Sequence, residues 1–178
     1  TKAKELLKEA GYDENHPFSF EVVTNTGNDI RINAALILQY QLQKAGIKMN
    51  IRVMEWQAFL NTVVHPRNFE AVLLGWSMAL MPDACPIWHS TSSKLGGFNF
   101  VSYENPKVDN LIEKGNNTVN RDELGKIYKN IFKIITDDLP YLFLYIPDSI
   151  SAVNKNIKNI EPSFIGIMHN QKDWELEK

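Results

Sequence analysis

The apolar residues of this chain switch repeatedly between two spacings, about 3.6 residues and 2, and that switching restricts the fold more than any other feature. Ala3, Leu6, Leu7 and Ala10 recur at helical spacing, and Gly11 stands where such a helix stops. Phe18, Phe20 and Val22 alternate, which predicts a strand over residues 18–23. Asn28 or Asp29 is placed to cap a second helix with an inward stripe of Ile30, Ala34, Ile37, Leu38, Leu42 and Ala45, ended by Gly46. Alternation then returns, with Ile47, Met49, Ile51 and Val53 on one face and Lys48, Asn50 and Arg52 on the other. A short helix is expected over 56–64, broken by His65-Pro66, and a third strand over 69–76. That strand carries Ala71, Val72, Leu73 and Leu74 unbroken, as expected where helices cover both faces of a sheet. The order αβαβαβ with short connections predicts an α/β domain with a mixed or parallel sheet flanked by helices.

From 77 to 104 the pattern changes to an irregular stretch rich in Ser, Gly and Asn that carries Met78, Met81, Trp88, Phe98 and Phe100. Loops this long within a compact domain usually serve function. Asn105-Pro106 then starts a helix with Val108, Leu111 and Ile112 inward, and Asn120 with Glu123 starts another. The latter buries Leu124, Ile127, Tyr128, Ile131, Ile134 and Ile135, and Pro140 closes it. Two more strands are expected, over 141–146 and 149–153.

Composition narrows the function. A formal net charge of -2 gives no electrostatic footprint for nucleic acid or a membrane surface. No apolar run approaches the roughly 20 residues of a membrane helix. Cys85 is alone, so no internal disulfide forms and the compartment stays open on this count. Neither GxxxxGK[ST] nor GxGxxG occurs, and no cofactor is expected. The first residues already read as an amphipathic helix with no Met, signal peptide or lipid-attachment cysteine ahead of it, which fits a piece of a longer protein better than a processed start.

Five segments, in order, resemble the bacterial extracellular solute-binding proteins of family 5, the oligopeptide-, dipeptide- and nickel-binding group. They are AKELLKEAGY, AALILQYQLQKAGIKMNIRVMEW, FEAVLLGW, NFVSYENPKVDNLI and DDLPYLFLYIPDSISAVNKNI, and GWSMALMPDACPIWHS looks like one branch of that family. The resemblance implies a type II periplasmic-binding-protein fold of which residues 1–178 form a single C-terminal lobe, the N-terminal lobe being absent. It further implies an extracytoplasmic protein, in the periplasm or as a cell-surface lipoprotein. Such a protein holds a small solute, peptide first among the options, and delivers it to ABC permease subunits. Trp174 is expected in the segment returning toward the first lobe.

Trp56 and Trp76 follow the second and third predicted strands, placing both at the carboxyl ends of what are expected to be adjacent strands, where α/β sheets bind ligands. Core burial is the competing reading for both. Positions matching them line the peptide pocket in relatives, and Ser77, Met78 and Ala79 extend the segment whose backbone would meet peptide amides. Tyr145 matches a cleft-facing position, although Tyr141, Phe143 and Tyr145 equally suit a buried sheet face. Asn105 reads as a cap, with Asn99 and Tyr103 as further cleft candidates. Two departures stand out: Ala79 replaces the aspartate that pairs with a peptide's amino terminus, and Leu73 replaces an arginine.

Two other classes remain to weigh. Cys85 and His89, with Asp83 nearby, would centre a hydrolase or a metal-dependent enzyme, but Pro86 intervenes and further ligands at recognised spacing are missing. A peptide-binding chaperone or signalling receptor would use the same lobe. Replacing Cys85 and His89 together is expected to leave solute affinity unchanged, with no turnover in either form, as followed by calorimetry and product analysis.

Overall fold

Three asparagines start the long helices of this chain by the same means. In the computed structural model, which describes residues 2–77, 83–94, 96–163 and 165–177, Asn28 Oδ1 accepts the Arg31 N–H at 3.0 Å to open α2 (Asp29–Ala45). Asn105 accepts from Lys107 to open α5 (Pro106–Asn116), and Asn120 from Asp122 and Glu123 to open α6 (Arg121–Asp138). Each such cap stabilises by about 1 kcal/mol over alanine. The stops differ. Gly46, at φ 91°, ends α2 with its N–H on the Leu42 and Gln43 carbonyls, whereas α6 ends at Leu139, a leucine at φ 51° and ψ 46°.

The described chain falls into two compact units, 2–77 with 83–140, and 141–177. The first contains α1 (Lys2–Glu9), β1 (Ser19–Asn25), α2, β2 (Lys48–Met54), α3 (Trp56–Phe59), β3 (Ala71–Val72), α4 (Cys85–Trp88), α5 and α6. One π turn, Leu60–Val64, extends α3. The sheet runs β2-β1-β3, all parallel, with Val22 opposite both Ile51 and Ala71. Consecutive residues feed opposite faces. Val22 joins Ala35, Met49, Leu38, Leu42, Ala71 and Leu73 beneath α2. Val23 joins Phe59, Val63, Val64, Phe100, Val72 and Leu74 on the other side. The unbroken run 71–74 is thus sorted alternately into two cores, which is why it carries no polar face.

The structure redraws several boundaries. Only Ala35 is fully enclosed on α2, while Ile30 and Ile37, placed inward from the sequence, are 64% and 58% exposed. The helix turns Ala35, Leu38 and Leu42 to the sheet instead. No residue of α1 is buried. The third strand is short, Ala71–Val72, with the Leu73 N–H still bonded to the Val23 carbonyl at 3.0 Å and the Thr24 hydroxyl donating to the Leu73 carbonyl at 3.0 Å. The strands expected over 141–146 and 149–153 do not form: those residues join no ladder, and Leu142, Ile146 and Ile150 are exposed. An alternating segment becomes a strand only where an edge is offered to it.

The helices after the loop behave as expected. Val108, Ile112, Ile127, Ile131 and Ile135 are buried where α5 packs on α6. A polar clasp joins the start of α5 to the end of α6: Tyr103 Oη and Asn105 Nδ2 both donate to Asp138 Oδ2, at 2.6 and 2.8 Å. Those two hydrogen bonds hold the Asp138 carboxyl below its ordinary range. Burial first, and then the bond to Asp138, push the Tyr103 phenol up to about 12.

The second unit pairs β4 (Ile157–Lys158) antiparallel with β5 (Glu175–Leu176). Asn170, 7% exposed, sits inside it, with its Oδ1 accepting from Trp174 Nε1 at 3.0 Å and its Nδ2 donating to the Asn159 carbonyl at 2.7 Å.

Leu139 holds a left-handed conformation that costs a β-branched or γ-branched residue about 1 kcal/mol relative to glycine. Leu139→Gly is expected to raise stability by about 0.5–1 kcal/mol, read as a higher denaturant midpoint in urea.

Candidate functional site

Because β1, β2 and β3 are parallel, their carboxyl ends share one edge, and the residues that follow them converge there. Glu55 follows β2, and its carboxylate accepts the Ala58 N–H at 3.0 Å to open α3. That bond, with one from the Gln57 backbone, lowers the Glu55 carboxyl. Trp56 is thereby the first residue of α3, its indole 6.2 Å from the enclosed Phe59 ring and 39% exposed. Beyond β3, Trp76 stacks on Phe100 at 5.8 Å and 10° and is 38% exposed. Each indole packs against a buried phenylalanine and keeps more than a third of its surface exposed, so neither is a core tryptophan.

The strands carrying the two indoles are not neighbours as expected. They are the outer pair, and the tip of β1 lies between them. Asn25 occupies that tip, 7% exposed, with its Nδ2 on the Thr26 carbonyl at 2.6 Å and its Oδ1 accepting from Arg31 Nη1. The other arm of the guanidinium, Nη2, lies 3.5 Å from where a β-carbon on Gly75 would stand. Arg31 thus brings a cation to this edge, a residue the sequence reading missed. The available signal was a base in the first turn of a helix, where the helix dipole disfavours positive charge.

Ser77 continues from Trp76 and is exposed, whereas Met78 and Ala79 lie outside the described residues. Tyr145 belongs to the second unit, is 51% exposed and stands in a segment without ladder bonds.

The irregular loop also supplies aromatic surface. Phe98 presents its ring edgewise to Trp76 at 5.9 Å and 67° and is 47% exposed, while Phe100 is buried. Asn99 between them is fully enclosed: its Nδ2 donates to the carbonyls of Tyr103 (2.8 Å) and His89 (3.3 Å), and its Oδ1 accepts the Tyr103 N–H at 2.9 Å. Gly97 lies so close to the preceding turn that a β-carbon would stand 2.0 Å from the Ser92 carbonyl oxygen. Asn99 and Tyr103, cleft candidates from the sequence, are therefore fasteners of the loop, and Asn105 is the cap it was read to be.

Cys85 and His89 bracket α4, with the His89 N–H on the Cys85 carbonyl at 3.2 Å. The Thr91 backbone N–H donates to His89 Nδ1 at 3.2 Å, so that nitrogen is an acceptor and the ring proton sits on Nε2, 3.6 Å from the Glu113 carboxylate. Burial first, and then the Asp83, Asp109 and Glu113 carboxylates, push the Cys85 thiol up. A nucleophilic cysteine needs the opposite shift. Among the described residues no group of three or more His, Cys, Asp or Glu side chains is gathered to hold a metal ion.

A parallel sheet covered on both faces, with two partly exposed tryptophans at its carboxyl edge, presents them where α/β sheets bind ligands. Comparison with known proteins gives the family. The family model described as bacterial extracellular solute-binding proteins, family 5 Middle, matches residues 1–99. The oligopeptide-binding protein AppA of Bacillus subtilis is 33% identical over 99% of this chain and 34% of its own length. Its structure in complex with a nonapeptide superposes with a TM-score of 0.79 at 34% identity, over 99% of this chain and 37% of that one. NikZ of Campylobacter jejuni, in complex with Ni(L-His), gives a TM-score of 0.74 at 25% identity, over 98% of this chain and 38% of that one. This chain belongs to the family 5 bacterial extracellular solute-binding proteins, with the fold of type II periplasmic binding proteins. It spans about a third of the length of the relatives it matches.

The raised thiol gives a test by pH. Alkylation of Cys85 by iodoacetamide is expected to follow a rate–pH midpoint above that of free cysteine, because little thiolate forms until the proton is lost at higher pH. A midpoint below free cysteine would restore a nucleophilic role.

Proposed function

We propose that this chain is the C-terminal ligand-grasping lobe of the extracytoplasmic substrate-binding component of a peptide-type ABC importer. An N-terminal lobe of the same polypeptide completes the cleft, and the pair closes by hinge motion on its solute and presents it to the permease subunits. The protein works in the periplasm or as a cell-surface lipoprotein, and it alters nothing that it carries. The observation that carries this reading is the pair of half-open indoles, Trp56 and Trp76, at the tips of the two outer strands.

Rigid aromatics in these positions supply contact area at small entropic cost, and each indole N–H offers one hydrogen bond. A peptide main chain also needs partners for its amides, since leaving one buried and unpaired costs about 1–3 kcal/mol. Trp76, Ser77, Met78 and Ala79 are proposed to meet it, and Tyr145 is proposed as a further ligand contact. Water-filled side-chain pockets then permit broad selectivity. Ala79 in place of an aspartate removes one partner for a peptide's ammonium group. AppA was solved with a nonapeptide and NikZ with a nickel–histidine complex, so both solute types fit cleft geometry of this kind.

Native mass spectrometry of the full-length polypeptide purified without added solute tests the class of cargo. A ladder of bound peptides is expected; a single metal complex or sugar would replace peptide as the solute. In the same polypeptide, Trp56→Ala and Trp76→Ala are each expected to weaken peptide binding about ten-fold or more by calorimetry. The 178 residues alone, holding half of the contact surface, are expected to bind no tighter than roughly millimolar, about 4 kcal/mol.

A further inference from the structure

Phe98 is a large apolar side chain left nearly half exposed, at 47%, beside an indole that is itself open. Its neighbour two residues on, Phe100, is 7% exposed and stacks under Trp76 at an interplanar angle of 10°. One face of the indole is therefore occupied from within the protein. Phe98 stands across both rings, at 67° to Trp76 and 77° to Phe100, with centroids 5.9 and 6.1 Å away. Two exposed rings meeting at so steep an angle form an open corner with one aromatic floor and one aromatic wall.

The corner is fixed in advance of any ligand. Asn99, whose three hydrogen bonds to Tyr103 and His89 leave it fully enclosed, separates the two phenylalanines and sends their side chains different ways. Gly97 fits only because it has no β-carbon against the Ser92 carbonyl. A wall held like this does not have to be ordered when a solute arrives, and the saving appears as affinity. Aromatic rings prefer offset-stacked and edge-to-face partners, and a corner offers both to one incoming ring.

We infer that Phe98 is a specificity-determining residue, forming with Trp76 a subsite for an aromatic side chain of the bound peptide. The inference rests on the peptide-binding reading and adds a preference to it. An aliphatic side chain gains apolar area in the corner; a flat ring gains that area and the edge-to-face contact as well.

The test uses the full-length polypeptide, calorimetry, and synthetic pentapeptides: pentaalanine, five variants of it with one phenylalanine at each position, and the matching cyclohexylalanine peptides. At one position phenylalanine is expected to improve affinity about five-fold over pentaalanine, with cyclohexylalanine giving less. Phe98→Ala should abolish that gain, so that the variant binds the phenylalanine peptide no tighter than pentaalanine, while Phe98→Tyr keeps the gain. A gain that survives Phe98→Ala would overturn the inference, as would an equal loss for pentaalanine and the phenylalanine peptide, which marks a structural role. If wild-type protein binds pentaalanine but prefers phenylalanine nowhere, the inference fails while peptide binding stands. If it binds none of the peptides, the peptide reading fails and the subsite goes with it.

Discussion

Everything at the site depends on the pairing of β1 with a strand on either side. Parallel registry sends all three chains out at one edge, and the alternation of Val22 and Val23 into separate cores obliges both faces to be covered. With both faces closed, side chains beyond the strand ends are the ones free to meet a solute. Trp56 and Trp76 are held there by that geometry, one opening a capped helix and the other stacked on a phenylalanine from a distant loop.

Polarity at this edge is arranged as carefully as the aromatic surface. Asn25 satisfies the end of the central strand and receives Arg31, which reaches back from the first turn of α2. Arg31 places a cation at this edge.

The loop from Asp83 to Asn105 links the site to the helical half of the first unit. Ser90 donates its N–H and hydroxyl to Asp109 on α5, and Tyr103 and Asn105 hold Asp138 at the end of α6. Buried polar networks of this kind are strong only when every member is satisfied, and Asn99 is satisfied three times. The same polar residues that make the stretch read as an irregular loop are the ones that stiffen it. Cys85 and His89 fall within this network and serve it through their backbone and ring nitrogen.

The helix caps at Asn28, Asn105 and Asn120 and the αL stop at Gly46 were legible from residue pattern, because each is decided within a few residues of the chain, and the alternation of helix and strand spacing gave the α/β class with a mixed or parallel sheet. What faces which partner was not. Ile30 and Ile37 sit seven residues apart, at helical spacing from each other, yet point outward, since the rotation of α2 is set by the sheet it meets. The residues from 141 to 153 carry a strand's alternation and form none, because a ladder needs a second edge that local sequence does not supply. Only tertiary structure put β1 between the indole-bearing strands, brought Arg31 to Asn25, and set Phe98 against Trp76 across a loop. The strand order and the Phe98–Trp76 contact join residues far apart in the chain, and even the six-residue reach from Arg31 to Asn25 is chosen by packing rather than by spacing.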